Sequence, residues 1–408
     1  MTDLEVTGIG NFLAERRDDI VGLLIELASL ESPSLVPESQ HAIQELLTRR
    51  LEAIGFAARV FPGEKTGGHL YLSREEAPKD GPEEAPKAAP NEARHGGESA
   101  PVQLLLGHTD TVWPIGTVQD MPAEWNEGED VVRGPGVFDM KAGIVQMVFA
   151  LEALSALGFQ PTVAPTLFLN SDEEIGSPES QGHVERLAQV SSRVLVLEPA
   201  LGPEGLMKTT RRGVGRFEIR VVGRASHSGL APEEGASAIQ EMALVIQALH
   251  ALTDFERGIT VNVGTVSGGT GVNVVAAECR ASVDVRVATL SDGRWVNDVI
   301  LGLEATTPGT RLEVEMVLDR SPMEATPRNR ILWEAVQGCG RRLGLELEGA
   351  ESGGASDGNT TSLFTATVDG LGAVGHGAHA HHEHVRVSKL LERTTLLALI
   401  LMMPSLDG

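Results

Sequence analysis

Apolar residues stand at helical spacing in FLAERRDDIVGLLIELASLES (12–32) and SQHAIQELLTRRLEAIGF (39–56). This is the spacing of amphipathic helices, and Gly55 is placed to end the second. The texture then changes to short apolar runs: AARVFP, HLYLS, VQLLLGHTDTV, PTLFLNSDEE and RVLVLEPA. Two helical patterns, DMKAGIVQMVFALEALSALG and one near 181–190, are interleaved with these runs. Apolar strands alternating with helices predict a mainly parallel sheet flanked by helices, an α/β fold. From about Thr210 the order becomes strand GRFEIRVVG, helix ASAIQEMALVIQALHALTD, strands ITVNVGTVSGG and CRASVDVRVAT, helix SDGRWVNDVILGLEA and strand RLEVEMVLD. That β-α-β-β-α-β order predicts a ferredoxin-like α+β unit of about one hundred residues. After Pro322 the first texture returns, with helices in RNRILWEAVQGCGRRLG and SKLLERTTLLALILMM. The chain therefore reads as one domain, 1–209 and 323–408, with a smaller domain, 210–322, inserted into it. Residues 75–101, EEAPKDGPEEAPKAAPNEARHGGESAP, contain no large apolar side chain. They are expected to form a disordered insertion, because nothing there offsets the entropy of ordering.

Charge narrows the partners. The 408 residues carry 33 Lys and Arg against 57 Asp and Glu, a formal net charge of −24. Nucleic acid and anionic membrane are excluded as partners, whereas cations are favoured. The two cysteines, Cys279 and Cys339, are too few for a disulfide framework. The N-terminal stretch MTDLEVTGIGNFLAERRDD has no basic region followed by an apolar one, and LLALILMM (396–403) is too short to span a bilayer. A cytoplasmic protein is expected.

The candidate chemistry lies where strands end. His108 and Asp110 follow one apolar run, Glu173 and Glu174 another, and Glu198 a third, while Asp139 stands at the start of a helical pattern. Singly, each has an ordinary explanation: a loop histidine held by an acid, a helix N-cap, a solvated loop. Together they place imidazole and carboxylate at successive carboxyl ends of strands, where open α/β sheets bind ligands. GAVGHGAHAHHEHV adds His376, His379, His381, His382 and His384 in a Gly-rich loop. Mixed carboxylate and imidazole donors suit zinc and similar divalent ions. Three ligand carboxylates and one further acid amount to −4 in one cleft, which two divalent ions neutralise. An aspartate is short enough to bridge such a pair.

The motifs GHTDTVWPIGT, GPGVFDMKAG, NSDEEIGS, LEPA, GRASHSG, NVVAAECRASVDVR, GGASDGN and GHGAHAHHEHV occur in this order along nearly the whole chain, apart from 75–101. In this the sequence resembles the dinuclear zinc peptidase family of glutamate carboxypeptidase, acetylornithine deacetylase, succinyl-diaminopimelate desuccinylase and aminoacylase. The glutamate carboxypeptidase-like members are the most similar. The resemblance implies a zinc-peptidase catalytic domain with an inserted dimerisation or lid domain, and hence a homodimer.

The resemblance also implies roles. Asp139 bridges two Zn²⁺ ions, which Co²⁺ or Mn²⁺ could replace. His108 and Glu198 hold one ion, and Glu174 and His379 the other. His379 is chosen from its cluster because Glu383 follows four residues later, as in the family. Glu173 is the general base and Asp110 orients His108. His227, in GRASHSG, polarises the scissile carbonyl in the partner subunit's site, and Asn273 and Arg286 bind the substrate. Gly353, Gly354 and Asp357 shape the pocket wall and a helix start. The implied reaction is hydrolysis of an amide bond next to a free carboxylate, on a small peptide. The alternative is an N-acyl-amino-acid deacylase of the acetylornithine deacetylase or desuccinylase type.

Overall fold

The computed structural model describes residues 2–74 and 101–406, so the insertion expected at 75–101 lies outside the described residues except for Pro101. The chain divides into two compact units. The first runs through Thr209 and includes Ala325–Ala350 and the residues from Ser356; the second comprises Thr210–Glu324 with Glu351–Ala355.

In the first unit, the helical pattern near the N-terminus resolves into two helices, Asp3–Glu15 and Arg17–Ser29. The chain leaves helical geometry at Arg16 (φ −101°, ψ 14°). The first helix begins earlier than the apolar spacing predicts. Thr2 and Glu5 cap each other's backbone N–H there, in the reciprocal arrangement that starts helices. The third helix, Gln40–Glu52, ends before Gly55, which adopts a left-handed φ of 90°.

The first unit is organised around a six-stranded sheet with the order Phe56–Phe61, His69–Arg74, Ala164–Asn170, Val102–His108, Ser191–Val196, Ala366–Val368. The first two pairings are antiparallel and the remaining three parallel. The strand Val102–His108 is buried along its whole length, as a strand covered on both faces must be. Helix Ala142–Ala156 is apolar nearly all round and almost wholly buried; it packs on the C-terminal helix Val387–Leu401. Each fully buried Leu, Val, Met or Phe there contributes roughly 1.5–3 kcal/mol of transfer free energy. Gly143, in its first turn, lies so close to the backbone that a Cβ would overlap the Leu197 carbonyl oxygen.

A separate four-stranded ribbon, ordered Gly375–His376, His384–Arg386, Val131–Arg133, Glu124–Asn126, was not anticipated from the sequence. Its strands are two or three residues long, too short to carry a period.

The second unit has four antiparallel strands in the order Thr260–Gly268, Glu278–Val287, Gly213–Val222, Arg311–Arg320. Helices Ala238–His250 and Leu290–Leu301 complete the β-α-β-β-α-β order. Its core is its own, built on Phe217, Ile219, Met242, Val283 and Ile300. Cys279 and Cys339 are free and buried. Among the described residues no helix is long and apolar enough to cross a membrane.

Candidate metal centre

Three neighbouring strands of the first unit end at one place. Val102–His108 lies between Ala164–Asn170 and Ser191–Val196, in parallel and in near register: His108 is opposite Asn170, and Leu106 opposite Val196. His108 therefore stands in the middle, with Glu173 and Glu174 just past one neighbour and Glu198 just past the other. Glu173–Ile175 forms a single 3₁₀ turn closed by Gly176 at φ 98°, so the acids leave the strand on a tight bend.

The ribbon delivers the remaining two residues. Asp139 lies in the irregular turn Val137–Lys141, with extended φ −114° and ψ 97°, and the peptide after it is cis. It is not the helix N-cap that its sequence position suggests, since regular helix starts only at Ala142. The close approach of Gly143 to Leu197 sets this turn beside Glu198. His379 lies between the ribbon strands Gly375–His376 and His384–Arg386, with φ 61°, a left-handed backbone uncommon outside glycine.

These side chains converge. His108 Nε2 is 3.3 Å from Asp139 Oδ1 and 3.4 Å from Glu198 Oε1. His379 Nε2 is 3.4 Å from Asp139 Oδ2 and 3.1 Å from Glu174 Oε2. The two oxygens of Asp139 thus face two different histidines, the disposition of a bridging carboxylate. Ligand atoms of His108, Asp139 and Glu174 lie within 4.8 Å of one another, as do those of His108, Glu173 and Glu198.

Around the cluster, buried groups fix its parts. The His108 Nδ1–H donates to the Asp110 carbonyl oxygen at 2.9 Å, which leaves the Nε2 lone pair turned to the acids. The Asp110 carboxylate is farther from that ring, at 3.4 Å. Its oxygens instead accept the backbone N–H groups of Glu173 and Glu174 and the Ser34 hydroxyl. The orienting contact expected of Asp110 thus runs through its backbone, while its carboxylate shapes the acidic turn. Glu383, fully buried, accepts N–H bonds from Gly136, Phe138 and Asp139 and from the Trp113 indole, all at 2.9–3.0 Å. Lys208 Nζ approaches Glu198 Oε2 at 3.6 Å. The sequence gives no role to Lys208 or Ser34, because neither stands at a recognisable spacing from the ligands.

A model of Peptidase family M20/M25/M40 matches residues 104–403. The chain belongs to that family. It is therefore a metal-dependent peptidase or amidohydrolase, and its fold is the α/β fold of the family. It is 24% identical to carboxypeptidase G2 of Pseudomonas sp. (strain RS-16) over 402 residues, 96% of this chain and 94% of that one. It is 27% identical to the succinyl-diaminopimelate desuccinylase of Gluconacetobacter diazotrophicus over 390 residues, 91% of this chain and 94% of that one. The structure of a Staphylococcus aureus tripeptidase superposes with a TM-score of 0.74 at 19% identity, covering 95% of this chain and 98% of the other.

The donor set of this M20 protein fits divalent ions. Burial raises the Glu174 carboxyl to about 7, and its Oε1 is buried with no hydrogen-bond partner among the described residues. Burial opposes ionisation of Asp139 too, but hydrogen bonds to His108 and His379 outweigh it and hold the carboxyl far below its usual range. Hydrogen bonds to Asp139 and Glu174 push His379 up to about 10. Burial disfavours the His108 cation, yet its acidic neighbours still raise it well above its usual value. Proton affinity at the two histidines is thus raised by the carboxylates they face, one form of charge compensation. Metal ions can take over that compensation.

The other expected residues, except Asp357, belong to the second unit. His227 and Asn273 are both exposed and adjacent: the Ser228 N–H donates to the Asn273 carbonyl at 3.0 Å, and His227 bridges to Val274. Arg286 makes a two-point pair with Asp284 at 2.8 and 3.0 Å, and Nη1 donates to the Gly353 carbonyl at 3.3 Å. A Cβ at Gly353 or Gly354 would meet nothing within 4 Å, so close packing does not demand glycine there. Asp357 opens the short helix Asp357–Thr361 and accepts hydrogen bonds from Asn170 and Ser177.

Proposed function

We propose that the protein is a two-zinc hydrolase that cleaves an amide bond next to a free carboxylate, releasing a C-terminal amino acid from a small peptide. The observation that carries this reading is Asp139, one of whose oxygens is close to His108 and the other to His379. His108 and Glu198 would hold one ion, Glu174 and His379 the other, with Asp139 shared between them. Divalent ions so held supply a water acidified towards neutrality and positive charge for a developing oxyanion.

Glu173 has two geometric options. Its carboxylate is near enough to His108 and Glu198 to be a third ligand there, whereas the family resemblance makes it the base. We assign it as the base, because the other four side chains and the Asp139 bridge already give each ion an imidazole and two carboxylates. Glu173 accepts the proton of the attacking water on its carboxylate and returns it to the leaving nitrogen. His227 is assigned to the scissile carbonyl in the partner subunit's site of a homodimer, and such a donor stabilises the oxyanion by roughly 3–4 kcal/mol. Arg286, held flat by Asp284, is assigned to the substrate carboxylate with its further N–H donors, and Asn273, beside His227, is assigned with that histidine to the partner subunit's site.

The desuccinylase relatives support a second reading, a deacylase acting on N-acyl amino acids. Initial rates on C-terminal glutamyl peptides and on N-acetyl and N-succinyl amino acids, with added Zn²⁺, separate the two. Peptides should be turned over with the higher kcat/KM. A preference for the acyl substrates replaces the first reading with the second, and no turnover of either class overturns both.

A further inference from the structure

We propose that His376, His382 and His384 form a second, exposed site for one divalent transition-metal ion, separate from the buried centre. The histidine-rich loop exceeds what that centre uses, since only His379 takes part in it. The surplus is not scattered. In the ribbon, His376 lies directly opposite His384, and cross-strand partners project from the same face. His376 Nδ1 is 3.2 Å from His382 Nε2, with the rings stacked at 5.3 Å and 27°. The His376 and His384 rings are 6.4 Å apart.

Two of the three rings already stand as ligands around a small ion do, and the third needs only its ring turned towards them. Zn–N bonds of about 2.0–2.1 Å in tetrahedral coordination put neighbouring nitrogens about 3.3 Å apart. The nitrogens of His376 and His382 already have that spacing. The third ring is prepared in another way: His384 Nδ1–H donates to the His382 carbonyl at 2.9 Å. That bond fixes the tautomer with its lone pair on Nε2, the arrangement by which protein histidines are oriented towards metals. Neutral imidazoles without thiolate or carboxylate suit zinc, copper or nickel. The opposing charge on this face is Arg133, in register with His384. Its guanidinium is paired with Glu129 at 2.5 Å, which offsets the repulsion of a bound cation. His376 and His382 also bracket residues 377–381, so an ion between them would clasp the two stems of the loop that carries His379.

The test counts Zn²⁺ bound to the full-length chain by equilibrium dialysis. It compares the wild type with His376→Ala, His382→Ala and His384→Ala, and with His381→Ala as a control. His381 packs on Trp113 instead and lies outside the triad. The wild type and His381→Ala should bind one ion more than the three triad variants, with hydrolytic turnover the same in all. The Cu²⁺-loaded protein should show nitrogen hyperfine coupling that each triad variant loses in part. Equal stoichiometry throughout reduces the triad to a hydrogen-bonded pair and overturns the site. Loss of the ion in His381→Ala, or loss of turnover together with the ion in a triad variant, overturns it as well.

Discussion

Asp172, fully buried, accepts the backbone N–H groups of Glu179 and Ser180 at 2.7 and 3.0 Å, so it ties down the loop that follows it. Glu174 is pressed against His379, while Glu173 lies on the side of His108 and Glu198. Three adjacent acids therefore meet three different surroundings, because a tight turn rotates successive side chains apart. The division makes Glu173 the informative position. Glu173→Gln keeps the shape and removes the basic oxygen. Turnover should fall by about 10²–10⁴-fold, the usual contribution of a positioned general base. Metal content measured by atomic absorption should stay at the wild-type value. A variant that loses an ion in step with its activity makes Glu173 a ligand instead.

At the scale of elements, Glu383 links the two parts of the ribbon that matter. Its carboxylate gathers three N–H groups of the 136–139 turn, and it lies four residues after His379. In Glu383→Gln an amide NH₂ replaces one oxygen and faces two of the four donors, leaving them buried without acceptors. At about 1–3 kcal/mol for each stranded donor, a loss of about 2–6 kcal/mol is expected. Urea unfolding at constant m-value measures it, and a midpoint equal to that of the wild type disproves the linkage. The sequence announced Glu383 only as a spacing partner of His379, because its acceptors are backbone groups that any residues could supply. The same limit hid the ribbon. Strands such as Val131–Arg133 and His384–Arg386 are three residues long and have no readable alternation. By contrast, His108, Glu174 and Glu198 were legible because each follows an apolar strand whose end fixes its place. Asp139 was legible as chemistry but not as structure: the residues read as one helix from 139 onwards, whereas the chain turns irregularly until Ala142. The break at Arg16 is hidden for a similar reason: Leu13 and Ile20, seven residues apart, still fall on one helical face although Glu15–Asp19 carry no apolar side chain.

The whole molecule carries −24, and each of its two units has hydrophobic core of its own. The acids of the candidate metal centre all belong to the first unit, with Glu174 already raised to about 7 by burial. Removing divalent ions should therefore act on one unit and spare the other. An ion at 100 times its Kd stabilises the state that binds it by about 2.7 kcal/mol. For a unit of this size, each kcal/mol moves the midpoint by roughly 2–4 °C. Calorimetry with and without EDTA should show one transition lowered by roughly 5–11 °C for each ion removed and a second, from the Phe217-centred core, unmoved. Readdition of Zn²⁺ should restore the first. If both transitions shift together, the ions stabilise more than the unit that supplies their ligands. If neither shifts, the convergence of His108, Asp139, Glu174, Glu198 and His379 does not bind metal in the folded protein.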